Sequence, residues 1–327
     1  MRAIVTGGAG FIGSHMVDLL IERGHEVLVV DNFSTGRREN LEQHRNEPRC
    51  AIHQVDLCGL PADSPLFREA DYVFHFAGIG DIVPSIERPL EYMNANVNGT
   101  LAVLEAARRT GVRKFVYAAS SSCYGIPDVY PTSETAAIRT EYPYALSKYL
   151  GECAALHWGK VYSLPVVSMR IFNAYGPRAR TTGVYGAVFG VFLAQKLHHR
   201  PFTVVGDGTQ KRDFVFVTDL ARAFLMAAES PYSGEAFNVG AGNPQSVNRL
   251  AELLGGDAVY VPKRPGEPDC TWADITKIQH YLGWKPEVSF EEGVGTMLRH
   301  IDYWATAPVW DPASIAAATK TWFQCLS

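Results

Sequence analysis

The chain has 327 residues, 47% of them apolar and 20% charged, and it carries a formal net charge of −4. This composition is typical of an ordinary globular protein, with enough length for one large domain or two coupled ones. The acidic balance and the lack of basic runs argue against a nucleic-acid partner, and no apolar run approaches the ~18 residues that would suggest a membrane partner.

Short apolar runs alternate with helical patterns over the first half of the chain. The predicted strands cover residues 2–6, 26–30, 50–55, 72–76, 114–118 and 166–170. The predicted helices cover residues 13–23, 89–110 and 142–160. Alternation of this kind is typical of βαβ units, in which a parallel sheet carries helices on both faces. We therefore predict an α/β fold whose larger part is a doubly wound parallel sheet.

Three glycines separate the first strand from the first helix. Gly7 permits a tight turn, Gly10 allows the backbone to approach a pyrophosphate, and Gly13 allows the helix to pack closely on the strand. The N-terminus of the helix then faces the phosphates, because its unpaired N–H groups and its dipole attract anions. The junction therefore predicts a dinucleotide site in a Rossmann-type domain.

The second strand ends in Asp31, close to the ~20-residue offset expected after such a glycine turn. A carboxylate at this place accepts hydrogen bonds from both ribose hydroxyls of a dinucleotide and would repel a 2′-phosphate. The sequence therefore favours NAD over NADP. A structural glycine turn followed by a solvated aspartate is the alternative, but it does not account for the strand–turn–helix context.

The fifth strand leads into a run of serines, Ser120 to Ser122, and Tyr144 and Lys148 follow within a helical pattern. Residues four apart share a helix face, so we expect the ammonium to move the phenol's pKa from about 10 toward neutrality. Such a phenolate can remove a proton from a carbinol while hydride passes to the nicotinamide, and a serine hydroxyl can relay the proton. The alternative is an exposed aromatic–cation pair, which is common on helices.

Elements become shorter and turns denser from about residue 175. We predict a dinucleotide-binding domain over residues 1–175 and a smaller mixed α/β lobe over 176–327, partly woven back into the first. The last segment, Trp304 to Phe323, holds three tryptophans and is predicted to form one amphipathic helix, packed on its own lobe or on a partner. The other predicted elements of this lobe are strands at 202–205, 236–239 and 258–261 and helices at 186–198, 218–229 and 246–253.

Several motifs resemble, in order, those of extended short-chain dehydrogenases/reductases, specifically the nucleotide-sugar epimerase/dehydratase family typified by UDP-galactose 4-epimerase. The resemblance runs from residue 1 to about residue 300. It rests on the segments Thr6-Gly7-Gly8-Ala9-Gly10-Phe11-Ile12-Gly13-Ser14-His15, Asp31-Asn32, Val55-Asp56-Leu57, His75-Phe76-Ala77-Gly78, Asn96-Val97-Asn98-Gly99-Thr100, the serine run, Tyr144 with Lys148, Arg170-Ile171-Phe172-Asn173, Arg212-Asp213-Phe214 and Arg264-Pro265-Gly266-Glu267.

The resemblance implies a tightly bound, recycled NAD and no metal. It makes Tyr144 the catalytic base, Ser120 the catalytic hydroxyl, and Lys148 the group that lowers the phenol's pKa and binds the nicotinamide ribose. Tyr144 and Lys148 therefore also count among the cofactor-binding residues. Asp56 and Leu57 would border the adenine, and Asn96 would lie near the nicotinamide. The other residues implied at the cofactor are Gly7, Gly10, Phe11, Ile12, Asp31, Asn32, Thr35, Gly36, Phe76 and Ala77.

The resemblance also implies a nucleotide-sugar site that extends into the second lobe. Arg212 and Arg264 would grip the diphosphate, which suits the fork of a guanidinium, and Glu267 would bind the nucleoside ribose. For these charged residues the alternative is a surface salt bridge. Asn173 would contact a substrate phosphate. The other residues implied near the substrate are Ser121, Ser122, Ala187, Val188, Thr203 and Thr271.

The serine run separates the reactions of the resembled family. Its 4,6-dehydratases carry Thr-Asp-Glu at these positions and its decarboxylating members usually keep the glutamate, whereas serines cannot form a carboxylic acid–base pair. The resemblance therefore implies an NAD-dependent isomerase that inverts C4 of a UDP-hexose, UDP-N-acetylhexosamine or UDP-hexuronate through a transient 4-keto intermediate. An epimerase of GDP-, CDP- or dTDP-sugars, a dehydratase, a keto-sugar reductase and a non-catalytic dinucleotide sensor stay open as alternatives.

Two positions depart from the pattern of the resembled family. Gly80, followed by Asp81, stands where the galactose enzymes often have a lysine near the cofactor. Thr271 stands where members of narrow specificity hold a bulky tyrosine. A small residue there predicts room for a larger C2 substituent such as an N-acetyl group.

The N-terminus, the cysteines and two of the predicted helices bear on cellular location and assembly. Because the N-terminus enters a strand without a signal-peptide pattern, and the six cysteines have no metal-ligand spacing, we expect a cytoplasmic protein with reduced thiols. The resemblance implies a homodimer in which helices over about 94–110 and 144–160 pair as a four-helix bundle. Apolar residues on these helices could equally face the sheet; they include Leu101, Leu104, Leu150 and Ala154.

Overall fold

The computed structural model describes residues 1–180 and 187–326. Residue 186, at which the predicted helix 186–198 begins, lies outside the described residues. The strands are β1 (Arg2–Thr6), β2 (Glu26–Asp31), β3 (Cys50–Gln54), β4 (Tyr72–His75), β5 (Lys114–Ser120), β6 (Val166–Ile171), β7 (Asn173–Tyr175), β8 (Phe202–Val205), β9 (Lys211–Arg212), β10 (Phe214–Phe216), β11 (Glu235–Val239), β12 (Gln245–Ser246) and β13 (Ala258–Val261).

Helices precede or follow most of these strands. Every helix within the described ranges is too short or too polar to span a bilayer. The α-helices are α1 (Phe11–Glu22), α2 (Ile82–Glu87), α3 (Pro89–Met93), α4 (Gly99–Thr110), α5 (Pro143–Tyr162), α6 (Val188–Leu197), α7 (Val217–Glu229), α8 (Val247–Leu254), α9 (Thr276–Leu282), α10 (Phe290–Arg299), α11 (Pro312–Ala318) and α12 (Lys320–Cys325).

Seven strands form one parallel sheet in the order β11-β6-β5-β4-β1-β2-β3. The chain winds from β1 outward through β2 to β3, and then returns to the other side of β1 to start β4. The strand order therefore reverses between β1 and β4, and ligands of open α/β sheets bind at such a reversal. The predicted doubly wound α/β fold is confirmed.

Side chains of each central strand alternate between two helical layers. Ala3 and Val5 of β1 pack in one core cluster with α1 and α7, whereas Ile4 packs in a second cluster with α4 and α5. Because both faces are covered, the central strands are apolar at nearly every position instead of at every second one. This arrangement explains why short continuous apolar runs, and not an alternating pattern, marked the strands in the sequence.

The C-terminal half returns to the main sheet before forming its own core. Strand β11 pairs in parallel with β6, and α7 packs against α1. The second lobe is built around an aromatic cluster and two small strand pairs, β8 with β13 and β9 with β12. Large buried side chains of that cluster include Tyr175, Phe189, Phe192, Phe202, Phe214 and Trp304.

Two predicted helices have a different form in the structure. The single helix predicted over 89–110 is α3 and α4 joined by a π-helical turn, Asn94–Asn98. The single amphipathic helix predicted within Trp304 to Phe323 is wrong, because this segment holds a 3₁₀ turn ending at Trp304 and then α11 and α12. Asp311 caps α11 by accepting from the Ser314 N–H, a local signal that starts a new helix there.

A buried ion pair links α5 to β6. The Glu152 carboxylate accepts from the Arg170 guanidinium at 2.6 Å and from the Ser168 hydroxyl at 2.9 Å, and the two charged side chains are 2% and 8% exposed. Glu152→Gln should lower the free energy of unfolding by about 3–5 kcal/mol, because it leaves a buried guanidinium without its counter-charge. Urea unfolding measures this loss.

The matched control is Glu252→Gln, which removes a carboxylate paired with Arg249 on the surface of α8, with 70% of its side chain exposed. We expect this control to change the free energy of unfolding by less than about 1 kcal/mol, because water already screens the pair. Equal losses in the two variants would contradict the prediction that burial makes the Glu152 pair important for stability.

Candidate active site

A cleft of about 550 Å³ lies at the carboxyl ends of the strands, where the strand order reverses. Its volume is within the range of ~300–1,000 Å³ that is usual for small-molecule and cofactor sites. Its walls come from the β1–α1 turn, the ends of β2 and β4, the π-helical turn and the start of α5. Predicted site residues that line it are Gly7, Gly10, Phe11, Ile12, Asp31, Asn32, Thr35, Asp56, Leu57, Phe76, Ala77, Ser120, Tyr144 and Lys148.

The glycine turn leaves no space for side chains. Gly7 has φ of +67°, and a Cβ on it would lie 2.6 Å from the backbone nitrogen of Ala77. A Cβ on Gly13 would lie 2.2 Å from the Gly7 carbonyl oxygen. Gly10 precedes α1, whose first N–H groups receive no side-chain cap. This bare cradle at a helix N-terminus fits the pyrophosphate of a dinucleotide.

Asp31, the last residue of β2, lies beside the same turn. Its carboxylate accepts from the N–H groups of Ala9 at 3.0 Å and Phe33 at 2.7 Å. Burial raises the pKa of Asp31, and these two hydrogen bonds oppose the rise. Gly36 does not line the cleft, but a Cβ on it would lie 2.9 Å from both carboxylate oxygens, so its small size leaves room beside Asp31.

Replacing Asp31 with Asn tests the cofactor preference. The amide keeps an oxygen for the turn but removes the charge that would face a 2′-phosphate, so the ratio of NAD to NADP affinity should fall at least about tenfold. Calorimetric titration of cofactor-stripped protein measures both affinities. Asp56→Asn, at the adenine end of the same cleft, is the control and should leave the ratio unchanged. An unchanged ratio in Asp31→Asn would exclude a role in selectivity.

Ser120, Tyr144 and Lys148 meet at the inner end of the cleft. The hydroxyl of Ser120 accepts from the Ser122 hydroxyl at 2.8 Å. Ser120 also opposes the rise that burial causes in the pKa of the Tyr144 phenol. The Tyr144 ring stacks on Tyr142 with centroids 6.4 Å apart and an interplanar angle of 9°. The ring contact restricts the orientation of the phenol within the cleft.

The prediction that Lys148 brings the pKa of Tyr144 toward neutrality is wrong for the chain by itself. Burial raises the pKa of Tyr144, and the hydrogen bond with Ser120 opposes the rise. Burial also lowers the pKa of Lys148, to about 8, and Glu152 opposes that shift. The Lys148 ammonium lies 4.7 Å from the centroid of the Tyr117 ring. Sharing one helix face therefore did not ensure a dominant charge effect, because both groups lose hydration.

Asn96 does not line the cleft itself but holds Ile79, which does. It is fully buried, and its side-chain amide donates to the Ile79 carbonyl at 3.0 Å and the Ser147 hydroxyl at 2.8 Å. Its side-chain oxygen accepts from the Ile79 N–H at 2.7 Å. The π-helical turn presents the neighbouring residues 94 and 95 to the cleft instead. Asn96 therefore positions the loop next to Tyr144.

That loop contains the departure at Gly80 and Asp81. A Cβ on Gly80 would lie 3.8 Å from the Tyr144 ring, so the missing side chain leaves space beside the phenol. Asp81 pairs with Arg180, which lines the cleft from the opposite side. Burial raises the pKa of Asp81, and Arg180 opposes the rise. The pair therefore ties Arg180, a lining residue, to the loop that follows β4, and no periodic pattern in the sequence predicted it.

Charged residues of the second lobe form a network near this cleft. Arg212 donates to Glu267 at 2.8 Å, and Arg264 pairs with the same carboxylate at 3.1 Å. They form the salt bridges that the alternative predicted, but their side chains are only 11–20% exposed. Thr271 donates to Asn173 at 2.6 Å and accepts from the Asp213 N–H. The fold therefore joins five of the predicted substrate residues in two polar groups.

Comparisons with known proteins identify the family. The model of the NAD dependent epimerase/dehydratase family matches residues 3–240. A putative UDP-glucose 4-epimerase of Methanocaldococcus jannaschii is 36% identical over 299 residues, which is 89% of this chain and 95% of that protein. The chain belongs to the NAD-dependent epimerase/dehydratase family. This membership confirms the predicted resemblance and the predicted cofactor, NAD.

Other members of the family show its functional range. UDP-glucuronic acid decarboxylase 4 of Arabidopsis thaliana is 35% identical over 310 residues, 91% of this chain and 68% of that protein. The solved UDP-N-acetylglucosamine 4-epimerase of Methanobrevibacter ruminantium M1, in complex with UDP-N-acetylmuramic acid, has a TM-score of 0.88 and 32% identity, covering 92% of this chain and 98% of that one.

Several residues predicted from the family pattern lie outside the cleft. Thr203 is buried in β8, where it accepts from Gln195 at 2.8 Å, so its side chain belongs to the core of the second lobe. Ala187 is the exposed residue before α6, and Val188 packs against the aromatic cluster. Ser121 starts a 3₁₀ turn, and Ser122 reaches Ser120 and Tyr142.

Other cleft residues carried no distinctive signal in the sequence. Their side chains are small, apolar or common surface types, and only the folded turns bring them to the cofactor site. They include Ser34, Cys58, Ile79, Glu91, Asn94, Ala95 and Arg180. Position relative to the strand ends would have found Ser34, Cys58 and Ile79, because each lies within a few residues of such an end.

Proposed function

We propose that this chain is an NAD-dependent isomerase that inverts C4 of a UDP-hexose, a UDP-N-acetylhexosamine or a UDP-hexuronate through a transient 4-keto sugar. One observation carries the proposal: Ser120, Tyr144 and Lys148 line the same cleft as the glycine turn and Asp31. A general base beside a dinucleotide cradle suits oxidation of a carbinol. A non-catalytic dinucleotide sensor has no need of this combination.

Side chains of the protein itself accept and return the proton of the sugar hydroxyl. Tyr144 accepts the proton of the sugar hydroxyl and returns it after inversion, so the chain is unchanged over one cycle. Ser120 donates a hydrogen bond that stabilises the phenolate, and the Lys148 ammonium adds positive charge within the same buried site. Bound NAD supplies the hydride acceptor and donor. Arg212 and Arg264 hold the diphosphate while the keto sugar turns, which their guanidinium forks suit.

The serine run favours epimerisation over the other reactions of the family. Ser121 and Ser122 occupy the positions of the acid and base of the dehydratases, and neither hydroxyl can serve as a carboxylic acid at neutral pH. The decarboxylase relatives make loss of CO₂ from a UDP-hexuronate the second candidate. The lack of a carboxylate in the serine run argues against it.

A panel of nucleotide sugars, incubated with the purified protein without added NAD, tests the proposal. We expect NMR to show a new C4 diastereomer of at least one UDP-sugar, because the retained cofactor closes the cycle. Loss of CO₂ or a 4-keto-6-deoxy product would favour the other family reactions, and turnover that needs NADPH would indicate a reductase. GDP-, CDP- and dTDP-sugars in the same panel decide the nucleobase.

Thr271 extends the proposal to the C2 substituent. Its side chain is held between Asn173 and the Asp213 N–H, and its small volume leaves space that a tyrosine would fill. We propose that an N-acetyl group fits there. Within the same panel, good conversion of plain hexoses without turnover of N-acetylhexosamines would exclude this assignment.

We also propose a homodimer formed through α4 and α5. Leu104 is fully buried toward the sheet and Ala154 packs against the same cluster, so neither is available to a partner. Leu150 and Leu146 on α5 are 39% and 37% exposed, which leaves an apolar strip for a second copy. Light scattering of the purified protein measures the mass, and a monomer at micromolar concentration would exclude the dimer.

A further inference from the structure

The C-terminal helix α12 lies against the residues expected to hold the substrate. Its Trp322 is 4% exposed and donates from its indole N–H to the Pro265 carbonyl at 2.7 Å. The Arg264 guanidinium lies 5.2 Å from the Trp322 ring centroid. A cation over an aromatic face at this distance is attracted by the ring. Trp322 therefore fixes both the backbone and the charged end of the Arg264 loop.

The same tryptophan also reaches the catalytic side of the cleft. Its ring lies 6.5 Å from that of Tyr142, which in turn stacks on Tyr144. One residue earlier, the Thr321 hydroxyl donates to Glu87 of α2, and α12 packs on that helix. The C-terminal segment therefore bridges two walls, the loop of Arg264 to Glu267 and the region between α2 and Tyr144.

We infer that Trp322 is a positioning residue for nucleotide-sugar binding, and that α12 is a wall of the substrate site instead of a peripheral tail. The inference rests on the proposed function, since it assigns Arg264 to the diphosphate. Trp322 restricts the guanidinium to one orientation, so less entropy is lost when it binds an anion.

Trp322→Ala tests the inference directly. Without the ring and its N–H, Arg264 gains rotamers, so KM for the nucleotide sugar and Kd for UDP should both rise about tenfold. The value of kcat should stay within about threefold, because the lost contact acts on binding and not on proton transfer. Trp322→Phe keeps an aromatic face above Arg264 and should restore both constants to within about threefold of the wild-type values.

Phe323→Ala is the matched control, because this neighbour on the same helix is 38% exposed. It should leave KM and Kd unchanged. If Trp322→Ala does not fold, Trp322→Leu takes its place, since leucine keeps apolar bulk without an aromatic face. Unchanged KM and Kd in the alanine or leucine variant, or the same rise in Phe323→Ala, would overturn the inference.

Binding and turnover separate this inference from the proposed function. UDP affinity is measured by calorimetry without any reaction, with GDP, CDP and dTDP as replacement probes if UDP does not bind. If the wild type inverts no sugar in the panel, the proposed function fails, yet the affinity ratio still decides the role of Trp322. If none of the four diphosphates binds the wild type, the inference fails with it.

Discussion

Tyr144→Phe should lower kcat by on the order of 10³-fold, because a positioned general base contributes ~10²–10⁴-fold to proton transfer. The ring should stay in place, since Tyr142 stacks on one side of it and Tyr92 meets it edge to face at 6.4 Å. The amount of NAD retained by the purified variant and its melting temperature should therefore match those of the wild type. Initial rates with the sugar found in the panel measure the loss.

Tyr149→Phe provides the matched control, because this residue lies on the same helix but packs with Tyr124 and Phe172 in a small separate core cluster. We expect it to change kcat by less than about threefold. A Tyr144→Phe variant that keeps more than a tenth of the wild-type rate would remove the phenol from the role of base. Loss of bound NAD together with loss of rate would instead assign the ring to cofactor binding.

Lys148→Met should lower kcat by on the order of 10²-fold, because it removes a preorganised positive charge from a water-poor site while keeping the length of the side chain. The charged groups around Lys148 are few: Glu152 raises its pKa, and the neighbouring His75 is neutral because burial and the ammonium lower its pKa to about 3. Steady-state kinetics over a pH series give the measurement.

The pKa of Lys148, about 8, predicts how kcat depends on pH. The ammonium is present below this value and is lost as pH rises through it, so wild-type kcat should fall above pH 8. In Lys148→Met this alkaline decline should vanish. The free energy of unfolding should change in the opposite direction. Between the lowered pKa of Lys148 and ~10.4 the unfolded chain binds more protons than the folded chain, so the lysine's contribution to stability rises with pH. A wild-type rate that is flat to pH 10 would contradict a catalytic ammonium.

Much of the fold followed from local patterns, because each βα unit carries its own signal. The glycines before α1 are needed because the backbone there must approach a ligand closely. The carboxylate at the end of β2 is needed because the ribose hydroxyls require a hydrogen-bond acceptor. The six strands predicted over the first 170 residues lie within two residues of the observed ends. The strand predicted at 236–239 is β11, which joins the main sheet beside β6.

The sequence was less informative where burial decided the outcome. The side-chain amide of Asn96 looked available for a ligand, but Ile79 and the Ser147 hydroxyl use its donors and the Ile79 N–H uses its acceptor. The pKa of Tyr144 depends on how much water the fold removes, and no spacing of residues reports that. Likewise, the tryptophans of the C-terminal segment indicated packing without a target, and only the fold shows Trp322 above Arg264.

The repeated passage of the chain between its two halves constrains movement. The polypeptide leaves the large sheet after β6, returns to it through α7 and β11, and leaves again toward β12. A hinge motion that opened one half away from the other would have to bend all three connecting segments at the same time. For the proposed inversion, we therefore expect the space in which the sugar ring turns to exist already between the two halves. Side-chain size at the walls, and not domain movement, should then limit which sugars the chain inverts.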